Sequence, residues 1–169
     1  MEERLPETGP SQQELLDFFT EHVARVYCAK SQLADKLPLL ARQAGFLDLQ
    51  QAIEETVEEI HAQLQRLREI FILLDTYYQP ASCAGLVGIL DEAFQSIGPQ
   101  LPNKKLRDLS IIFYMQNIES IEVASFKILQ IAARALERPD VVQLLRECYD
   151  EAREDTVLYK QLMSGYIKL

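Results

Sequence analysis

The chain has 169 residues, 48% of them apolar and 25% charged, a composition that suits one globular domain with a proper core. Its formal net charge of −9 argues against a nucleic-acid backbone or an anionic membrane as the main partner. Only six glycines and seven prolines are present, mostly outside the long periodic segments, which favours an all-helical domain with few connections.

Residues 1–10, MEERLPETGP, are acidic and polar; they read as a flexible N-terminus and not as a signal peptide. A single domain over 11–169 is expected to follow. Ser11 is a good N-cap, with Glu14 at the capping-box position. An apolar stripe then runs through Leu15, Phe19, His22, Val26, Leu33, Leu37 and Leu40. Its one gap falls at position 30, and the residue there is a lysine. Pro38 should kink or restart this helix, and Gly45 should close it.

Asp48 opens a second helix, whose stripe of Ile53, Val57, Ile60, Leu64, Leu67, Phe71 and Leu74 is the most regular in the chain. It fades at DTYYQPAS, where Pro80 marks a break. A short amphipathic piece, CAGLVGILDEAFQSIG, precedes the turn GPQLPNK. A third long helix spans 104–137, and Pro139 begins a fourth that runs to about Gly165 and carries Val141, Leu144, Cys148, Leu158 and Leu162. Short connections join the first and last pairs, whereas the middle connection is long enough to cross the bundle. The expected fold is all-α, a ferritin-like four-helix bundle with one long crossover carrying a short extra helix.

No apolar run reaches the roughly 20 residues that span a bilayer. Cys28, Cys83 and Cys148 are odd in number and lack CxxC or Cys/His spacing. That argues against a disulfide framework or zinc site, and for three buried thiols in a reducing cytoplasm.

Acids inside the apolar stripes call for a reason. At about 100° per residue, the third stripe is centred on Ile111, Ile118, Ser125 and Leu129. Glu122 falls on that line and Glu119 at its flank, where water can still reach it. On the fourth helix Glu151 and Asp155 lie on the line, and Glu154 at its edge. The apparent ExxH of Glu58 and His61 points outward and is discounted, while Glu59 and Gln63 share the inner flank of the second helix. His22 reads as a core or hydrogen-bonded histidine and not as a ligand. Lys30, Glu59, Glu119, Glu122, Glu151 and Asp155 therefore gather at one depth, and ionised carboxylates buried together need compensation, either from metal ions or from an internal cation.

The order YCAKSQLADKLPLLA, EETVEEIHAQLQRLREIF, QSIG, NIESIEVASF and DEARED resembles the YciE/YciF family of ferritin-like bacterial stress proteins, over about residues 20–160. The resemblance implies a rubrerythrin-like fold, association as a homodimer and a site for a pair of metal ions. It also implies that Glu59 with Gln63, Glu119 with Glu122, and Asp150, Glu151 and Asp155 match the family's site pattern. The family's first-helix motif Ala-Glu-x-Gln-Leu stands here as Ala29, Lys30, Ser31, Gln32 and Leu33. Lys30 thus replaces an expected glutamate, and the site is expected to be vestigial or weak, with Lys30 as internal counter-ion.

The first expectation is a non-catalytic, stress-associated bundle protein without a cofactor. The alternative is an oxidoreductase or iron-handling protein holding iron or manganese on Glu59, Glu119, Glu122 and Glu151. A third is a scaffold in which dimerisation is the point, through Phe113, Tyr149 and Tyr166. No nucleophile with an oriented base, Gly-rich phosphate loop or basic patch stands out, so no catalytic residue and no substrate are assigned, and neither nucleic acid nor membrane is expected as partner.

Overall fold

The computed structural model describes residues 9–79, 82–100 and 102–168. Residues 1–8 of the expected N-terminal segment, and the break expected at Pro80, lie outside them. The described residues form helices α1 (Gln12–Ala41), α2 (Leu47–Leu73), α3 (Ala84–Ile97), α4 (Lys104–Ala135) and α5 (Pro139–Tyr166), with one 3-10 turn at Gly98–Gln100.

The capping box forms as the sequence requires, the Ser11 side chain accepting from the Glu14 amide while Glu14 accepts from the Ser11 amide. Pro38 is accommodated inside α1. Gly45 is not the residue that ends the helix, since the C-cap is Arg42 in right-handed conformation. Its glycine is required for another reason: a Cβ there would sit 2.7 Å from Asp108 Oδ2. The Gly45 amide donates to Asp108 Oδ1 at 2.6 Å, and the Tyr166 hydroxyl donates to Asp108 Oδ2 at 3.0 Å. One buried carboxylate on α4 thereby ties down the α1–α2 turn and the end of α5. At the other hairpin α4 stops two residues before the predicted 137, because Glu137 turns into the left-handed region at φ 54°.

Hydrogen bonds between helix ends fix the directions. Gln12 reaches the Ala135 carbonyl and Gly45 reaches Asp108, so α1 and α4 are antiparallel. Arg138 reaches the Leu73 carbonyl, so α2 and α5 are antiparallel as well. With two hairpins arranged this way, α2 and α4 run in the same direction, and the chain from Leu74 to Asn103 must travel back along the bundle. It does so through α3, which packs on α1 and α4. This is the predicted bundle with one long crossover.

The core is divided. One apolar half contains Leu33, Leu37 and Leu40 with Ile53, Ile111, Ile118 and Tyr159; the other contains Phe19 and Val23 with Leu67, Phe126, Leu129 and Leu145. Along α1 the halves meet at Lys30, along α4 at Glu119 and Glu122, and along α5 at Asp155. A polar layer therefore crosses the bundle near mid-height.

The cysteine expectation is overturned. Cys28 on α1 and Cys83 in the crossover form a disulfide across 55 positions of chain, and Cys148 alone is a free, buried thiol. Spacing along the chain could not reveal this pair, because the two residues meet only after α3 has folded back over α1. Among the described residues no helix is long and apolar enough to cross a membrane.

Candidate functional site

Each long helix contributes polar side chains to the central layer. Lys30 is 1% exposed, and its ammonium makes an ion pair and hydrogen bond with Glu122 Oε2, joining α1 to α4. The Phe126 ring lies 5.4 Å from the same ammonium and offers it a π face. Glu122 is 3% exposed and its Oε1 has no hydrogen-bond partner.

Glu119 is also fully inside, at 1% exposed. The expected position at a wet flank is therefore corrected. The buried line of α4 runs through Met115, Glu119, Glu122, Phe126 and Leu129, and Ser125, used above to centre it, lies half-exposed at the side. Burial first, and the neighbouring Glu122 charge second, push the Glu119 carboxyl well above the ordinary range.

The line on α5 is rotated in a similar way. Val141, Leu145, Cys148, Ala152, Asp155 and Tyr159 are buried, whereas Leu144, Leu158 and Leu162 are partly so. Asp155 belongs to the interior as predicted, but Glu151 stands at its margin with 24% of its side chain exposed. Thr56 of α2 accounts for Asp155. Its hydroxyl lies 2.9 Å from Asp155 Oδ2, 2.9 Å from the Tyr159 hydroxyl and 3.0 Å from the Ala52 carbonyl.

Glu151 is clasped by α2. Arg66 places Nη1 2.8 Å from one carboxylate oxygen and Nη2 2.8 Å from the other, a bidentate fork, and Gln63 Nε2 donates at 2.9 Å. Arg66 Nε also pairs with Glu147 at 3.0 Å. Burial opposes the guanidinium charge, but the bonds to Glu151 outweigh it and raise the Arg66 pKa. Glu59 lies half-buried beside Asp155 and Glu151, and burial followed by their charges lifts its pKa to about 7. Glu58 and His61 are exposed, as the projection has it. His22 is partly buried against Phe18, with ring centroids 4.4 Å apart. Glu154 is exposed.

Sequence reasoning missed Arg66, Thr56 and Tyr159. A threonine on the line between Ile53 and Ile60 was a usable signal, because an isolated hydroxyl on an apolar stripe must find a partner. Arg66 carried no such signal, since an arginine on a helix flank usually reads as solvated. The Cys148 thiol, buried and raised to about 11, stays protonated at neutral pH and is no nucleophile.

These shifts set a pH dependence. Burial raises Asp155 to about 6 against an ordinary 3.8, with the Thr56 bond opposing. A carboxyl with a raised pKa binds protons more tightly in the folded chain, so its contribution is fully present below the unfolded value and lost as pH rises through the folded one. For Asp155 the span from 3.8 to about 6 corresponds to about 3 kcal/mol. Glu59 extends the decline to about pH 7. Thermal melts should accordingly show a higher midpoint at about pH 5 than at about pH 8, and Asp155→Asn should flatten that slope; a midpoint that rises over the same interval would contradict the burial of these acids.

Two kinds of relative match this architecture. The family model described as a domain of unknown function, DUF892, matches residues 14–168. The chain belongs to that family. Protein YciF of Escherichia coli (strain K12), of the same YciE/YciF type, is 28% identical over 138 residues, covering 81% of this chain and 82% of YciF. The crystal structure of the E. coli stress protein YciF superposes with a TM-score of 0.87 at 25% identity, covering 91% of this chain and 97% of that one. The protein YcfI from Rhodopseudomonas palustris gives a TM-score of 0.83 at 24% identity, covering 93% of this chain and 98% of its own. This DUF892 bundle is thus YciF-like over nearly its whole length.

Proposed function

We propose that this DUF892 protein is a stress-associated, non-catalytic bundle protein whose dimetal site has been reduced to an internal salt bridge. The observation that carries the reading is Lys30, an ammonium inside the acidic layer and bonded to Glu122. The stress association is carried over from the description of E. coli YciF.

The donors present do not fit a pair of divalent cations. Glu122 already holds an ammonium, Glu151 is clasped by Arg66 and Gln63, and Asp155 accepts from Thr56. Among the described residues no group of three or more His, Cys, Asp or Glu is arranged to hold a metal ion. Lysine at the place of a carboxylate shifts the formal charge by two units, which opposes a dinuclear centre directly. No cofactor is therefore assigned.

One observation favours a second reading. Glu59 Oε2, Glu119 Oε1 and Glu122 Oε1 are buried without partners. If the Lys30 side chain swings aside, these oxygens with Glu151 could hold iron or manganese, and the protein would be an iron-handling or oxidoreductase member of the type. Metal analysis of protein purified without chelator separates the two. Less than a tenth of an equivalent, before and after exposure to Fe(II) or Mn(II), is the expected result; two equivalents per chain would overturn the first reading. Lys30→Glu should raise uptake, and unchanged uptake would remove Lys30 as the blocking cation.

The protein is further proposed to act as a homodimer. Of the residues considered for an interface, Tyr166 is stacked on Phe46 and bonded to Asp108, and Tyr149 is partly covered with Lys127 over its ring. Phe113 is 56% exposed and Leu106, two turns earlier on α4, 50% exposed. These two support an interface at that end of α4. Sedimentation at micromolar concentration should show a dimer that Phe113→Glu dissociates; a wild-type monomer removes the proposal. A cytoplasmic location is proposed as well; the Cys28–Cys83 bond is unusual for a reducing compartment, and recovery of the chain in the soluble cytosolic fraction tests the reading.

A further inference from the structure

A cavity of about 540 Å³ opens between α1, α4 and the start of α3. It lies within the size range of small-molecule pockets, which are mainly apolar with few polar groups. Its walls are largely hydrocarbon, from Val26 and Ala29 on α1, Leu86 on α3, and Ile121, Ile128 and Leu129 on α4. Glu122 is the one carboxylate in the lining. It is 3% exposed, Lys30 holds one of its oxygens, and the other has no partner.

The third wall is fastened. Cys83 is joined to Cys28, and Arg25 Nη1 donates to the Ser82 carbonyl at 3.1 Å, so the segment that enters α3 is held against α1. The pocket is therefore a built concavity, with a buried acceptor short of one donor. A buried acceptor left unmet is costly, so a ligand that supplies its donor is rewarded for doing so.

We propose that this cavity binds a small, mainly apolar molecule carrying one uncharged hydroxyl, which donates to the free oxygen of Glu122. A neutral donor fits better than an ammonium. The Lys30–Glu122 pair is already balanced, and a second cation would have to shed its water in a hydrocarbon pocket beside Lys30. A carboxylate directed at Glu122 would be repelled, and Arg25, which also lines the cavity with His22, is already engaged by Glu21 and the Ser82 carbonyl. The inference rests on the reading in which Lys30 stays paired with Glu122, because a metal ion on Glu122 Oε1 would take the same oxygen; the metal analysis above tests that reading separately.

Amide chemical shifts titrated with para-butylphenol, and in parallel with its methyl ether para-butylanisole, test it on the full chain. The phenol is expected to bind once per chain, with shifts confined to residues lining the cavity. The ether has the same shape and no donor, and should bind at least about tenfold more weakly. Ser125 lines the same cavity and its hydroxyl bonds only to the Ile121 carbonyl of its own helix; Ser125→Leu should fill the space and abolish binding while helicity and melting midpoint stay unchanged. Equal affinity for phenol and ether, binding that survives Ser125→Leu, or no shifts at millimolar phenol because a second copy covers the mouth would each overturn the proposal.

Discussion

Lys30→Met should lower the unfolding free energy by about 3–5 kcal/mol, the range for removing one partner of a buried ion pair. The loss does not measure the worth of the pair. It measures the stranding of Glu122, a carboxylate at 3% exposure whose other oxygen already lacks a partner. Putting Lys30→Met together with Glu122→Leu should therefore recover most of the loss, because two apolar groups of similar size remove the desolvation cost of both charges. Urea unfolding of the two single variants and the double one decides the matter. If the double variant is as unstable as the sum of the singles, the two residues do not interact and the central observation of the proposed function goes with them. Against a typical total of about 5–15 kcal/mol, the single change alone can leave the chain mostly unfolded near body temperature.

The second large effect belongs to the disulfide. Linking Cys28 to Cys83 closes a loop of 55 positions, and the chain-entropy relation assigns such a loop about 4 kcal/mol, with measured bridges commonly at about 2–4. The double replacement Cys28→Ser with Cys83→Ser should cost that much, and added reductant should reproduce the cost in the wild type while leaving the double variant untouched. Thiol titration in denaturant gives the direct count. One reactive thiol, from Cys148, is expected before reduction and three after it; three before reduction would show that the bond does not form.

The architecture was largely legible because helix stripes and stop signals are local. Ser11 with Glu14 and Pro139 at the first turn of α5 mark real helix starts, and the unequal connection lengths imply the crossover. The polar layer was legible in outline for the same reason. Lys30, Glu122 and Asp155 interrupt apolar lines, and an interruption shows in a single helix. What failed was angular precision. Centring the α4 line on Ser125 rotated it away from Glu119, and centring the α5 line on Leu144 and Leu158 drew Glu151 too far inward. Partners chosen across helices were beyond reach, since nothing local to Arg66 says that it will clasp Glu151, and nothing local to Cys28 indicates Cys83.

The division of the core into two apolar halves bears on how the helices find their alignment. A stripe of leucines and isoleucines repeats every turn or two, so a helix sliding by one turn, about 5.4 Å, exchanges one hydrocarbon contact for another at little cost. The polar layer breaks that near-equivalence. Shifting α1 by a turn would carry the Lys30 ammonium away from Glu122 and into the packing around Leu33 or Val26, and shifting α2 would strand Asp155 without Thr56. The layer thus acts as an index mark on four otherwise slippery rods, selecting one axial alignment out of several that hydrophobic packing alone would rank almost equally.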